Sequence, residues 1–342
     1  MIDAVFFLVL AFLVMLILGW GLLVLPREHM QILATLPRVR AGNGAWEGLN
    51  LTWYGVMQAL GITLGLAVAI VLGRSLGVSP LFMFIYLPSL LLVSLVAARV
   101  VAGIVEKKRG TFTVGGAVFV GMLISLPVGW GLDAALGTAD TLPSLIAAAL
   151  GYPLGEGIGR LACISFGCCY GKRVNDMGPR WQRVFGAIAT IPRGRTRKAV
   201  YAGNCAGESL VPTQALSAVF LSLFAIAGIA CFLFGHPRIG ATMALVSTHA
   251  FRFLIEFLRA DNRGTGAVSP YQWMSLFSIP VVIGIFVFPA KDLALANVEQ
   301  GLLALRAPGV VLGLAGTALA VFLYLGRSRV TFAILRFGVR DR

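Results

Sequence analysis

Charged side chains are scarce in this sequence. Only 12% of the 342 residues are Asp, Glu, Lys or Arg and only three are His, whereas 58% belong to the hydrophobic set. A soluble domain carries about 25% charged residues, so the composition excludes a soluble globular enzyme and a disordered chain. The 41 glycines follow no three-residue period, which excludes a collagen-like chain. Apolar runs of about 20 residues instead predict an α-helical protein that crosses a membrane several times.

Nine apolar segments predict membrane-spanning helices. We expect them near residues 4–25, 51–72, 80–102, 113–132, 142–158, 211–234, 239–258, 269–289 and 308–326. The longest polar segment, 159–210, starts apolar and continues basic, which indicates a re-entrant or interfacial arm. The expected fold is therefore an all-α polytopic membrane protein with about nine transmembrane helices and an arm between helices five and six.

Basic residues outnumber acidic ones by 28 to 14, for a net charge of +14. Of these 28, and without Arg160 at the end of a span, 21 lie in residues 26–50, 103–112, 159–210, 259–268 and the tail after 326. Basic loops of a membrane protein favour anionic lipid headgroups as partners, and we expect no nucleic acid. The positive-inside bias favours the cytoplasmic side for these loops, whereas a long basic loop can serve anionic lipid on either face, so both orientations stay open.

The five cysteines lack the paired spacing of a disulfide framework. Cys163, Cys168 and Cys169 fall within seven residues, but no His or second C-x-x-C motif stands at zinc-ligand spacing. The sequence therefore predicts neither a metal nor an organic cofactor.

Charged residues follow one another at helical spacing in "HAFRFLIEFLR". His249, Arg252, Glu256 and Arg259 are 3, 4 and 3 residues apart, which places them on one helical face. A charge inside a membrane helix costs about 2.5–3.5 kcal/mol, so this stripe must face protein or a polar cavity. It is either a structural ion pair or an anion site. In an anion site, Glu256 would hold Arg252 and leave donors free for a phospholipid phosphate.

Polar residues also mark the ends of other apolar segments. Glu156 and Arg160 are four apart in a glycine-rich stretch, which indicates close helix packing or a second phosphate contact. Tyr54 belongs either to an interfacial aromatic belt or to a cavity wall. Gln214 and Gln272 stand near helix starts, where they either hydrogen-bond between helices or line a site.

A series of motifs resembles the prolipoprotein diacylglyceryl transferase family. In order, these are "WYGVMQALG", "TVGGAVFVG", "GRLACISFGCCYGKR", "VPTQALSAV", "HAFRFLIEFLRADNRG" and "QWMSLFSIP". The resemblance covers roughly residues 50–290. It implies an extra N-terminal helix with a basic loop in 1–50, a transferase-like core in 51–290 with its arm at 159–210, and an extra C-terminal helix with a basic tail in 291–342.

Members of that family move the diacylglyceryl group of phosphatidylglycerol onto the thiol of a lipobox cysteine. The resemblance implies that Arg160 and Arg252 hold the donor phosphate and that Glu256 orients Arg252. Tyr54 would line the cavity and Gly171 would close the signature loop. It also implies a multi-pass protein of the bacterial inner membrane whose partners are an anionic phospholipid and an acceptor protein or small molecule.

The chain departs from the family pattern at several polar positions. Val114, Cys163, Cys168, Thr248 and Val211 replace a His, an Asn, a Glu, a Tyr and a His of the family motifs. The phosphate-binding residues are kept, which indicates retained lipid binding with altered acceptor chemistry.

Two kinds of residue could supply replacement chemistry, a histidine and a cysteine. His249 is a candidate substitute base, or else an interhelical hydrogen-bonding group. Cys168 or Cys169 is a candidate nucleophile, or else a packed thiol. The default acceptor is a lipobox thiol; the alternatives are a transferase with a different acceptor and a non-catalytic protein that binds or translocates lipid.

Overall fold

Helices dominate the computed structural model, which describes residues 1–40, 46–107, 113–261, 266, 268–288, 293, 295–328 and 334–335. The helices are α1 (Ile2–Val24), α2 (Trp53–Ser75), α3 (Pro80–Glu106), α4 (Val114–Leu136), α5 (Thr141–Phe166), α6 (Pro179–Gly186), α7 (Lys198–Tyr201), α8 (Thr213–Leu233), α9 (Pro237–Glu256), α10 (Pro270–Val287), α11 (Val298–Ala304) and α12 (Pro308–Leu325). Within the described residues, seven helices are long and apolar enough to cross a membrane: α1, α2, α3, α4, α8, α10 and α12. The chain is a multi-pass membrane protein, as its composition predicts.

A small antiparallel sheet, which the sequence did not predict, lies outside the helices of this mostly helical protein. Strand β1 (Ile32–Arg40) pairs with β2 (Trp46–Thr52), and β2 also pairs with β3 (Arg327–Ser328) and β4 (Ile334–Leu335). Backbone N–H and C=O groups outside a helix need other hydrogen-bond partners. In the loop after α1 and in the tail, the strands provide these partners for one another. The basic loop after α1 and the basic tail therefore lie at the same end of the bundle.

Helices α2 and α5 form the most closely packed pair of the bundle. A Cβ atom added at Gly61 would lie 2.5 Å from the carbonyl oxygen of Gly155, and one added at Gly65 would lie 2.7 Å from that of Gly151. Only glycine permits this approach, so the small-residue packing expected from the sequence is present. It draws α5 into the centre, where α8 and α9 cover its other sides. Charged residues of α5 are thereby held inside the protein.

The arm begins later than the sequence indicated. Residues 159–166 continue α5 as a buried helix, which ends at Gly167 in the left-handed conformation with φ of 72°. The backbone of the arm then bridges Gly171 with Arg259, just after α9. Gln31 Nε2 also donates to the carbonyl oxygen of Thr196 over 2.9 Å. The arm is thus fixed over the end of the bundle where α5 and α9 terminate.

Candidate functional site

One buried carboxylate, Glu156 on α5, binds two arginines from different helices. Arg252 Nη1 on α9 lies 2.7 Å from Glu156 Oε1 and 2.8 Å from Oε2. Arg160 Nη2, one turn further along α5, donates to Oε1, and the Tyr152 hydroxyl donates to Oε2. The four-residue spacing of Tyr152, Glu156 and Arg160 aligns them on the face of α5 that meets α9. The structure therefore brings Arg160 and Arg252 to a single carboxylate.

Arg252 hydrogen-bonds Glu156 rather than Glu256, which interacts with Arg252 only electrostatically, and the orienting role of Glu256 stays a prediction. The Arg252 guanidinium donates to Glu156 and to the Tyr152 hydroxyl, the latter over 3.1 Å. Glu256 stands at the last residue of α9, where Ser269 Oγ lies 3.5 Å from its carboxylate and Arg259 Nη1 lies 3.9 Å away. Glu156 offers a better partner because its side chain is only 4% exposed, and ion pairing is stronger where water is excluded.

Both arginines keep donors that Glu156 does not use. Arg252 Nη2 and Nε have no hydrogen bond with a described residue, and Arg160 Nη1 has only a 4.0 Å contact with Cys169 Sγ. Gly115 of α4 leaves space at this point, since a Cβ there would lie 3.0 Å from Arg252 Nη2. One carboxylate neutralises one of the two guanidinium charges. The pair is therefore suited to bind an anion such as a phosphate.

His249 lies one turn before Arg252 on α9. Its side chain is buried, and neither ring nitrogen has a hydrogen-bond partner among the described residues. The interhelical hydrogen bond considered for it is thus absent from the described part of the chain. His249 interacts electrostatically with Arg252 and Glu156. It is placed beside the arginine pair, and its role as a base stays a prediction.

Three cysteines lie next to Arg160. Cys163 Sγ is 3.9 Å from Cys169 Sγ, and the sulfur atoms of Cys163, Cys168 and Cys169 all lie within 4.8 Å of one another. Hydrogen bonds with the Cys163 and Cys168 thiols and the nearby guanidinium groups of Arg259 and Arg160 hold the pKa of Cys169 well below its usual value. All five cysteines are free.

Tyr54 stands on α2 near this cluster. Its ring packs edge-on against Phe166, with 5.6 Å between ring centroids. It interacts electrostatically with the three cysteines and with Arg160. Tyr54 is therefore near Arg160, and its place in a cavity wall stays a prediction.

The two glutamines use their amides to fix the backbone. Gln214 Nε2 donates to the Cys168 carbonyl oxygen over 2.8 Å. Gln272 forms a reciprocal cap with Ser269 at the start of α10 and donates to the Phe253 carbonyl oxygen over 3.1 Å. Both residues thus make the hydrogen bonds that one of the two alternatives predicts, Gln214 also lines a cavity, and a substrate contact stays a prediction for each.

Arg259 and Gly171 join the arm to the end of α9. The Arg259 guanidinium binds Asp261 through two hydrogen bonds of 2.8 and 2.6 Å. A Cβ at Gly171 would collide with the carbonyl oxygen of Val211. Both residues thus have structural partners, and a direct contact with substrate stays a prediction for each.

Sequence reasoning missed three residues of this region. Tyr152 could have been found, since it precedes Glu156 by four residues on the same helical face. Gly115 carries no signal beyond its motif. Arg197 was counted among the headgroup-binding charges of the arm, but it is only 4% exposed and donates to the carbonyl oxygens of Ile164 and Pro26, each over 2.7 Å.

A cavity of about 510 Å³ lies between the arm, α1 and α8. Its wall is mostly apolar and includes Arg197, Tyr170, Gln214 and Phe220. The arginine pair on Glu156 lies outside this wall. The cavity and the arginine pair are therefore two separate features of the arm end of the bundle.

Known proteins resemble this chain over the same region. The family model for prolipoprotein diacylglyceryl transferase matches residues 45–288. A phosphatidylglycerol–prolipoprotein diacylglyceryl transferase 2 of Clostridium perfringens is 33% identical over 133 residues, which are 37% of this chain and 44% of that protein. A phosphatidylglycerol–prolipoprotein diacylglyceryl transferase of Clostridium tetani is 32% identical over 143 residues, 40% of this chain and 48% of that protein.

These two alignments cover less than half the length of either relative. The family model, however, spans α2 to α10 and includes every residue of the Glu156 network. By that match, the chain belongs to the prolipoprotein diacylglyceryl transferase family.

Proposed function

We propose that this protein transfers the diacylglyceryl group of phosphatidylglycerol to the cysteine thiol of a prolipoprotein. The observation that carries the proposal is the arginine pair on Glu156, which leaves unused donors on Arg160 and Arg252. Support also comes from the family match and from the two relatives, whose names state this donor and this acceptor.

In this reaction the arginines bind the phosphate of the lipid. The acceptor sulfur forms a bond to the glyceryl carbon, the bond between that carbon and the phosphate oxygen breaks, and glycerol phosphate leaves with the electron pair. Negative charge grows on the departing phosphate, so fixed guanidinium groups stabilise the transition state. Glu156 restrains both guanidinium groups in place and leaves a net positive charge for the substrate.

The thiol proton requires an acceptor in this scheme, and His249 is our candidate. It is buried beside Arg252 and has no competing hydrogen bond with a described residue. A general base contributes about 10²–10⁴-fold to a rate. His249→Gln keeps a similar shape, and we expect it to lower kcat within that range while lipid binding is unchanged.

The architecture of the proposed enzyme follows the sequence-based expectation. We propose nine membrane crossings, in which α5 and α9 join the seven apolar helices, with an interfacial arm after α5. The proposed divisions are residues 1–50, 51–290 and 291–342, and the membrane is the bacterial inner membrane. The family match over 45–288, which leaves α1, α11 and α12 outside, supports the divisions.

The test is a turnover assay with the purified full-length protein and phosphatidylglycerol labelled in its headgroup. Glycerol phosphate release that requires a lipobox peptide supports the proposal. Release with another acceptor, but not with the peptide, would favour a different transferase of the same fold. Lipid binding without release under any condition would favour a non-catalytic lipid-binding protein.

Variants connect this assay to the site. We expect Arg160→Ala to abolish peptide-dependent release while the protein stays folded in detergent. Arg306→Ala is the matched control, because Arg306 is exposed between α11 and α12 and lies outside the family match. Equal activity of the Arg160→Ala and Arg306→Ala proteins would contradict the assignment of the phosphate site.

A further inference from the structure

The three-cysteine cluster lies beside the Glu156 network, and Arg160 contacts both: its Nη2 donates to Glu156 and its Nη1 lies 4.0 Å from Cys169 Sγ. It comprises Cys163 in the last turn of α5 and Cys168 and Cys169 just after it. One sulfur atom from each lies within 4.8 Å of the other two, and the Cys163 and Cys169 sulfur atoms are 3.9 Å apart. Thiols of a packed interior need not converge in this way, so the arrangement calls for a ligand that three sulfur atoms can share.

The fold fixes this arrangement through the backbone. Gly167 ends α5 with φ of 72°, and Cys169 adopts φ of 56°, a left-handed conformation that non-glycine residues seldom take. The carbonyl oxygen of Cys169 accepts a 2.6 Å hydrogen bond from Thr213 Oγ1, and that of Cys168 accepts one from Gln214. The turn therefore directs the sulfur atoms of Cys168 and Cys169 toward Cys163, and hydrogen bonds from α8 hold the turn in place.

Positive charges surround the sulfur atoms. Arg160 Nη1 lies 4.0 Å from Cys169 Sγ, and Arg259 also interacts electrostatically with Cys169. These two guanidinium groups place positive charge beside the sulfur atoms, where a thiolate-bound metal would carry negative charge. Cys168 and Cys169 are partly exposed, which provides an entry path, whereas Cys163 is buried at the back of the cluster.

We propose that Cys163, Cys168 and Cys169 bind one zinc ion through three thiolates. Zinc–sulfur bonds of about 2.3 Å in tetrahedral geometry place sulfur atoms about 3.8 Å apart, close to the separation of Cys163 and Cys169. Thiolates select soft ions, and Cu⁺ is the main competitor. Zinc with three thiolates carries a net charge of −1 and Cu⁺ a net charge of −2, so zinc leaves less charge to be neutralised in a largely buried site.

Three protein ligands leave the fourth position of zinc for water or an external ligand. This is the coordination of reactive zinc sites rather than of closed structural ones. The site goes beyond the transferase proposal and does not depend on it, because metal binding can be measured without turnover. The spacing of the cysteines in the sequence did not predict it; the turn at Cys169 creates it.

The test is a titration of the full-length protein in detergent, stripped of metal by a chelator and kept reduced. Co²⁺ serves as the optical probe. We expect a thiolate-to-cobalt charge-transfer band and the visible bands of tetrahedral cobalt, saturating at one ion per chain and removed by Zn²⁺. No charge-transfer band, or Co²⁺ that Zn²⁺ does not displace, would overturn the proposal.

Cysteine variants assign the site. Cys169→Ser should weaken zinc binding at least about 100-fold, which exceeds the usual effect of losing a partner outside the coordination sphere. Cys205→Ser and Cys231→Ser are the matched controls, since both cysteines lie outside the cluster, and they should bind zinc as the unchanged protein does. Equal affinities in all three variants would contradict the assignment.

A second measurement uses only the unchanged protein, so it tests the zinc site even if Cys169→Ser does not fold. In the unchanged protein, Zn²⁺ should slow alkylation of Cys168 and Cys169 by a thiol reagent, as read by mass spectrometry of peptides. Alkylation of Cys205 and Cys231 should proceed at the same rate with and without zinc. Uniform protection of all the cysteines, or protection of none, would overturn the proposal.

Discussion

Two buried arginine sites lie at the arm end of this bundle, and they differ in what holds the guanidinium. Arg197 donates to four backbone carbonyl oxygens, those of Ile164, Leu25, Pro26 and Arg27. Ile164 is in the last turn of α5, whose final carbonyl groups have no partner within the helix, and Leu25, Pro26 and Arg27 directly follow α1. Arg160 and Arg252 instead share the carboxylate of Glu156.

The comparison separates a structural arginine from one available to a ligand. Both terminal nitrogens of Arg197 are occupied by the backbone, and only its Nε lacks a partner among the described residues, so its main interactions are structural. Arg160 and Arg252 are held by Glu156 but keep unused hydrogen-bond donors, and Glu156 neutralises only one of their two positive charges. Burial alone does not mark a functional arginine; the number of uncommitted donors does.

The largest expected difference is between Arg252→Ala and Arg197→Ala. Loss of Arg252 should lower turnover about 10³-fold with little change in thermal unfolding, because a fixed cation near the leaving phosphate is removed. Loss of Arg197 should lower the free energy of unfolding by about 3 kcal/mol, because charged hydrogen bonds to buried carbonyls are lost. Turnover per folded molecule should change little. Thermal unfolding in detergent and the release assay measure both effects. If Arg197→Ala lowered turnover and Arg252→Ala lowered stability instead, the roles assigned to the two arginines would be wrong.

The next prediction asks which carboxylate positions the arginines. Glu156→Gln removes the charge that holds the two guanidinium groups together, and buried cations without a counter-ion repel one another. We expect turnover to fall about 10²-fold by the same electrostatic reasoning. Glu256→Gln is the matched control and should lower turnover less than Glu156→Gln does, because the Arg252 guanidinium donates to Glu156 and not to Glu256. A larger loss of turnover from Glu256→Gln than from Glu156→Gln would favour Glu256 as the partner of Arg252, as inferred from the sequence.

A smaller effect is expected from crowding Arg252. In Gly115→Ala the new methyl group would lie 3.0 Å from Arg252 Nη2 and 3.1 Å from the Tyr271 ring. The guanidinium must shift, and we expect kcat/KM to fall about tenfold, since small misplacements of a positioning group are costly. Gly131→Ala on the same helix meets nothing within 4 Å and should leave kcat/KM unchanged. Identical kinetics for the two variants would show that Arg252 Nη2 is not used.

The smallest effect should come from Tyr152→Phe. The variant removes one hydroxyl that donates to Glu156 and accepts from Arg252, and leaves both charges in place. A single hydrogen bond contributes about 1 kcal/mol, which corresponds to about a fivefold loss of kcat/KM. A loss as large as that of Arg252→Ala would mean that Tyr152 acts on the substrate itself.

The sequence predicted the helices well because long apolar segments have few alternative structures. Each of the nine expected segments contains a helix whose ends lie within a few residues of the prediction, except that α5 continues to Phe166. The pair of Glu156 and Arg160 followed from the helical period. The sheet was missed because its partners, the loop after α1 and the tail, are far apart in the chain, and pairing between distant strands leaves no local periodic signal.

The contact between Glu156 and Arg252 could not be read from the sequence. Arg252 has Glu256 four residues away on its own helix, which is the pairing that helical spacing favours. The actual partner depends on how α9 packs against α5, and this depends on glycine contacts between α5 and α2. The cysteine cluster was missed for a related reason, since its sulfur atoms converge only through the left-handed turn at Cys169.

The most direct test is a structure of the protein with phosphatidylglycerol bound. We expect one lipid phosphate with oxygen atoms about 2.7–2.9 Å from both Arg160 and Arg252, while Glu156 still binds both guanidinium groups. A phosphate bound elsewhere, or held by only one of these arginines, would show that the two arginines do not form the phosphate site.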